Sequence, residues 1–159
     1  MLKFAVFKIA GEDFGVEVSR VVEILKRQKI YLLPDLPDFF SGVINIRGEV
    51  IPLLDLRRRF GTHTPSKKER ILVVRCNKEK IGLLVDDIKE IISLAREEVV
   101  APPSIVKGLK RTYLTGLGKK DDRIIILLNI DNLLTSEEKM VLEESGGIFR
   151  EDAGTQKVT

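Results

Sequence analysis

The feature that most constrains the fold is an internal repeat. FAVFKIAGEDFGVEVSRVVEI (residues 4–24) aligns without a gap on ILVVRCNKEKIGLLVDDIKEI (residues 71–91), at an offset of 67. Phe14 falls on Ile81, Gly15 on Gly82, Val18 on Val85, Val21 on Ile88 and Glu23 on Glu90. A second set follows at an offset of 74: Gly42 on Gly116, Leu54 on Leu128, Asp55 on Asn129 and Leu56 on Ile130. Two hairpins can look alike by composition alone, but a gapless match with glycine and glutamate in register favours duplication. Two similar small units packed together follow, with a groove for a partner where they meet.

Within each unit the pattern is that of strands. Phe4–Ile9 and Phe14–Val18 flank Ala10-Gly-Glu-Asp13, and Val43–Ile46 and Val50–Leu56 flank Arg47-Gly48-Glu49. Ile71–Arg75 pairs with Ile81–Val85 in the same way, and Ile30–Pro34 reads as extended. Ser19–Leu25 reads as one helical turn capped by Ser19 and then a strand. Ile124–Ile130 is a continuous apolar run, expected to be a strand buried on both faces. Thr135-Ser-Glu-Glu138 has the form of a capping box opening a short helix over 136–145, which Gly146-Gly147 ends. The stretch 146–159 is polar and patternless, as a disordered tail would be. Short strands with a turn signal about every ten residues indicate an all-β barrel or sandwich. The repeat divides a single domain over 1–145 into two barrel subdomains at roughly 14–66 and 70–135, with the first strand as an element the two could share.

With 159 residues, the chain can bury a core without staples. Aromatic residues make up only 6%, so aliphatic side chains must build that core. The N-terminus has no apolar stretch long enough for a signal peptide or a span, and a single cysteine fits a reducing compartment; the expectation is a cytoplasmic protein.

Catalytic chemistry has few candidates. His63 is the one histidine, so a histidine-rich metal site is excluded. Cys76 closes a strand and reads as structural. Asp86-Asp87 reads as a solvated turn, and Gly116-Leu-Gly118 is too short to be a nucleotide fingerprint. Arg57-Arg58-Arg59, Lys67-Lys68, Lys107–Arg111 and Lys119-Lys120 are basic clusters, which admit a nucleic-acid-binding small barrel as the rival reading. A net charge of only +3 and few aromatics near those clusters argue for scattered solvated charge instead.

What remains is a protein-interaction module. Arg47 sits in a turn that needs its glycine but not an arginine. A guanidinium suits it for a partner's carboxylates. The structural alternative is an internal salt bridge to Glu49 or Asp55.

GVINIRGEVIPLLDLRRRF (42–60) strongly resembles the signature of the CheW family of chemotaxis coupling proteins. DFGVEVSRVVEIL, IGLLVDDIKEIISL and TYLTGLGKKDDRIIILLNIDNLLTSEE resemble the family's other segments in order, so the resemblance covers roughly residues 3–145. It implies two packed five-stranded SH3-like β-barrels with a short C-terminal helix, no enzymatic activity and no cofactor or metal. It implies an adaptor that couples the cytoplasmic tips of methyl-accepting chemoreceptors to the histidine kinase CheA, with no nucleic-acid partner. The adaptor would meet the inner membrane only indirectly, through receptor arrays. Matched by motif, Val21, Gly42 and Arg47 fall at receptor contacts, and Ile88 and Ile91 at kinase contacts. Asn129 stands where related chains carry aspartate; both side chains can accept from turn amides.

Overall fold

The computed structural model describes residues 1–62, 68–102 and 111–144. His63, Lys67, most of the Lys107–Arg111 cluster, Gly146-Gly147 and the tail lie outside them. The elements are strands β1 (Leu2–Ile9), β2 (Glu12–Glu17), β3 (Val21–Leu25), β4 (Gly42–Ile46) and β5 (Glu49–Asp55), then one helical turn, α1 (Leu56–Arg59). Strands β6 (Arg70–Cys76), β7 (Glu79–Val85), β8 (Asp87–Leu94), β9 (Val99–Val100), β10 (Leu114–Lys120) and β11 (Arg123–Leu128) follow, and residues 136–144 are helical (α2). The fold is all-β, as expected. Between β2 and β3 the expected helical turn is a 3₁₀ turn, Val18–Arg20, without a side-chain cap.

The strands form two sheets, with orders β8-β1-β2-β11-β10-β9 and β3-β6-β7-β5-β4. Neither sheet belongs to one half of the chain, as boundaries at 14–66 and 70–135 would have it. Each half donates its first hairpin to the other's sheet: β1-β2 lies between β8 and β11, and β6-β7 between β3 and β5. The cause lies at the 3₁₀ turn, which turns the chain away from the β1-β2 hairpin. β3 then pairs with β6 instead of returning alongside β2.

The repeat is carried into the register. Leu127 lies opposite Gly15 where β11 runs parallel to β2, and Leu53 lies opposite Gly82 where β5 runs parallel to β7. A Cβ on Gly15 would stand 3.2 Å from Leu127 and Ile125 side-chain atoms; one on Gly82 would stand 3.0 Å from Leu53 and 3.1 Å from Ile71. Glycine recurs because a leucine crosses it at the seam of each sheet. The outer pairs match too. Val21↔Val74, Glu23↔Val73 and Ile24↔Leu72 in one sheet answer Phe7↔Ile88, Val6↔Glu90 and Ala5↔Ile91 in the other. Both ladders break at the same place, leaving Val22 and Lys89 as the unopposed residues of two equivalent bulges.

The core has three main parts. Each sheet curls over an interior cluster of its own: Ile44, Ile51, Leu53, Ile71 and Val73 in one, Phe4, Val6, Leu94, Ile125 and Leu127 in the other. Between the sheets lies a larger shared core with Phe7, Phe14 and Val16 from one side and Leu54, Leu72, Val74, Leu83 and Val85 from the other. Each fully buried aliphatic or aromatic side chain contributes about 1.5–3 kcal/mol, so the shared core is the dominant force joining the halves. β11 departs from expectation on its outer face, where Ile124 is 57% exposed. Cys76 is buried, and burial pushes its thiol pKa up, as a structural cysteine requires.

Candidate functional site

The bulges decide what the outer strands display. Val21 and Ile24 are three residues apart and would face opposite ways in a regular strand. The extra residue at Val22 puts both on the face of the shared core. Val21 packs partly buried against that core, while Ile24, farther along, is 44% exposed. β8 repeats the arrangement: Ile88 packs against the core, and Ile91 is 61% exposed. Each outer strand therefore carries an apolar rim where the shared core opens to solvent.

A glutamate next to each rim is held by an arginine from the far hairpin of the same sheet. Glu23 pairs with Arg47, and Glu90 accepts from Arg123 Nη1 at 2.8 Å. Arg123 also reaches Asp13 at 3.3 Å. The Arg47 partner is thus Glu23, not the expected Glu49 or Asp55. Ladder pairing cannot bring it there, since β3 and β4 are opposite ends of the strand order; the curl of the sheet does. Arg47 and Gly48 have φ of 53° and 85°, forming the two-residue turn between β4 and β5, and the Gly48 amide donates to Asn45 Oδ1 at 3.0 Å. A non-glycine residue in the left-handed region is strained. The Arg47 side chain is 73% exposed.

The expected receptor-contact residues do not gather in one cavity. Arg47 meets β3 through Glu23, close in sequence to Val21, but Gly42 is buried at the opposite end of β4. A Cβ on Gly42 would come 2.5 Å from Ile30 Cγ2 and 2.8 Å from the Tyr31 carbonyl oxygen, with φ at +154°. Gly42 is therefore needed by the fold itself, to let residues 30–31 lie against β4. The two expected kinase-contact residues share β8, and only Ile91 is well exposed.

Sequence reasoning missed Glu23 and Ile24 as site residues, although the repeat had already placed Glu23 on Glu90 and paired Ile24 with Ile91.

Two expectations about charge are overturned. Arg57-Arg58-Arg59 is not a solvated run. Arg57 is 8% exposed and sits among three carboxylates: Asp55 at 3.1 Å, Glu69 at 2.8 Å and Asp86 at 3.4 Å. Burial works against its charge, but the Asp55 and Glu69 carboxylates more than compensate and raise its pKa. Arg59 forks onto Glu138 with two contacts of 3.0 Å. Asp86, expected in a solvated turn, is buried and accepts from the Ala10 amide at 2.8 Å. The capping box is present: Thr135 Oγ1 accepts from the Glu138 amide at 3.1 Å, and Glu138 accepts from the Thr135 amide at 2.9 Å. Among the described residues, Arg58 is the exposed member of the arginine run. It borders a cleft of about 340 Å³ with Asp38, Phe39, Ser41, Leu54, Asp55, Arg59 and Tyr113. No group of three or more metal-ligating side chains occurs among the described residues.

These observations define a duplicated all-β module with an apolar rim on each outer strand, a form suited to docking proteins. The model of the CheW-like domain matches residues 3–138, and the chain belongs to the CheW family. It is 33% identical over 143 residues to the chemotaxis protein CheW of Klebsiella aerogenes, covering 89% of this chain and 86% of that one. It is 31% identical over 140 residues to CheW of Helicobacter pylori, covering 86% and 84%. A crystal structure of the scaffolding protein TtCheW from Thermoanaerobacter tengcongensis superposes with a TM-score of 0.79 at 33% identity, covering 86% of this chain and 96% of that one. The chain is a chemotaxis scaffold, not an enzyme. Among the described residues no helix is long and apolar enough to cross a membrane.

Proposed function

We propose that this protein is the cytoplasmic adaptor that couples methyl-accepting chemoreceptors to a CheA-type histidine kinase, holding one partner on each outer strand. The observation that carries the reading is the repeated rim: Val21 and Ile24 on β3, Ile88 and Ile91 on β8, each ending in an exposed isoleucine. One backbone shape offered twice, with different charges around it, suits a protein that must hold two unlike partners. The receptor tip docks along β3, where the rim takes the apolar face of a helix. Arg47 exchanges Glu23 for a receptor carboxylate. Gly42 acts from the far end of β4 by keeping that strand against residues 30–31. The kinase docks along β8 through Ile91, with Ile88 beneath it. Location at the receptor array follows from these contacts.

The test is calorimetric titration of the full chain with the regulatory domain of the CheA-type kinase and, separately, with a receptor cytoplasmic fragment. Ile91→Glu is the probe for the kinase face, because Ile88 is too buried for a charge to report on binding alone. Ile91→Glu is expected to abolish kinase binding at unchanged Tm, and Arg47→Glu to weaken receptor binding through like-charge repulsion. Kinase binding that survives Ile91→Glu moves the kinase face elsewhere. An Arg47→Glu variant that loses many degrees of Tm assigns Arg47 to the fold.

A further inference from the structure

A third surface begins where the β3 rim ends and runs along the free edge of β4. Residues 26–33, KRQKIYLL, lead from β3 to β4 and carry no acidic side chain. Lys26, Arg27 and Lys29 are exposed, and the Lys29 ammonium stands 4.9 Å from the centre of the Tyr31 ring. Arg27 reaches Glu69 only at 3.5 Å, and that carboxylate is held at 2.8 Å by Arg57. Within the same loop Ile30 is 38% exposed, Tyr31 43% and Leu32 81%. Solvent-facing apolar side chains this closely spaced, beside exposed positive charge, mark an interaction surface.

The backbone beneath it is prepared for a strand. β4 is the last strand of its sheet, and its outer edge is covered at one bridge, where Tyr31 and Val43 exchange two hydrogen bonds of 2.8 Å. Asn45, two residues on, directs its backbone the same way, with no strand paired beside it among the described residues. Next to this edge a cavity of about 180 Å³ is lined by Tyr31, Leu33, Val43, Ile44, Asn45 and Val50, with room for one branched aliphatic side chain.

We propose that this edge binds an extended, acidic segment of a partner protein. The segment continues the β4 edge past the Tyr31 bridge and places one apolar side chain in the cavity. Its carboxylates meet Lys26, Arg27 and Lys29. Backbone pairing supplies affinity, and the pocket and charges supply specificity. An anionic bilayer would also answer basic and apolar side chains, but it has no use for an open strand edge or a single-residue cavity, so a protein segment is favoured.

The test uses ¹⁵N-labelled full-length protein. The probe is a capped nonapeptide of alternating glutamate and valine with a central leucine, titrated beside the same peptide carrying lysine for glutamate. The expected result is saturable shifts of the Tyr31, Val43 and Asn45 amides with the acidic peptide only. Lys26→Glu with Lys29→Glu should weaken binding about tenfold or more, as should Leu32→Asp; these positions are exposed, so folding is not at stake. Three results would overturn the proposal: no shift at these amides up to millimolar peptide, equal binding of the lysine peptide, or binding insensitive to the reversals. Sedimentation with phosphatidylglycerol vesicles without peptide binding would also overturn it, in favour of a membrane surface.

Discussion

Two equivalent corners of the molecule carry opposite charges. Where β5 ends, Asp55 accepts from the Arg57 amide at 2.9 Å; where β11 ends, Asn129 accepts from the Asp131 amide at 3.1 Å. The caps are the same, and Asn129 does the work of the aspartate. The residue two places on is a buried arginine among three carboxylates in the first corner. In the second it is an aspartate, 43% exposed, whose Oδ2 accepts from Arg20 at 3.2 Å. The hairpin turns diverge likewise: Arg47-Gly48 in one sheet, Asp121-Asp122 in the other, all four at positive φ. What duplication conserves is backbone path, seam glycines and inward aliphatics, because the shared core fixes them. Charge is free to diverge wherever it faces solvent or finds its own partners.

The largest expected effect breaks the corners apart. Arg57→Ala strands buried carboxylates and should cost about 3–5 kcal/mol. Asp131→Asn removes only a part-exposed pair and should cost no more than about 1 kcal/mol. Urea unfolding of both variants checks this, and similar losses would show that the corners differ in charge but not in role. Next come the seams. Gly15→Ala and Gly82→Ala should each cost about 1–3 kcal/mol by overpacking, and by similar amounts. One harmless alanine would mean that the two seams are not equivalent.

The turns come third. Gly48→Val at φ 85° should lose about 1–2 kcal/mol, since a β-branched residue resists the left-handed region. Asp122→Gly at φ 63° should gain up to about 1 kcal/mol in thermal denaturation. A neutral Asp122→Gly would show that this turn carries no strain.

The smallest effect is on pH dependence. The Arg20 hydrogen bond lowers the Asp131 pKa. Burial raises that of Glu138, but bonds from Arg59 and the Thr135 amide outweigh it, and the net direction is down. Groups with a depressed folded pKa stabilise the protein above their unfolded pKa, near 4, and that contribution is lost as pH falls through the lower folded value. Stability should therefore fall below about pH 4, with a shallower slope in Asp131→Asn and Glu138→Gln. An unchanged slope would place the acid-sensitive groups elsewhere.

Fold class and repeat were legible because Gly15 and Gly82 keep register with their neighbours. The hairpin exchange was not. Alternation tells which side chains face inward, not which strand lies alongside, so β3 gave no sign that it pairs with β6. Arg47 was legible as an anomaly in a turn, but Glu23 was hidden because sheet curl brings it there. Val21 and Ile88 looked like surface contacts but pack against the shared core; the bulges at Val22 and Lys89 put Ile24 and Ile91 on that same face, farther along, where they are exposed. The arginine run misled because the carboxylates around Arg57 include Glu69 and Asp86, distant in sequence.

The central claim is that two equivalent faces hold two partners at once. The most direct measurement is sedimentation velocity of the protein mixed with both the kinase regulatory domain and a receptor fragment, for the wild type, Ile24→Glu and Ile91→Glu. The account predicts a ternary complex for the wild type, loss of the receptor alone with Ile24→Glu, and loss of the kinase alone with Ile91→Glu. Mutually exclusive binding, or one variant releasing both partners from a folded chain, would contradict it.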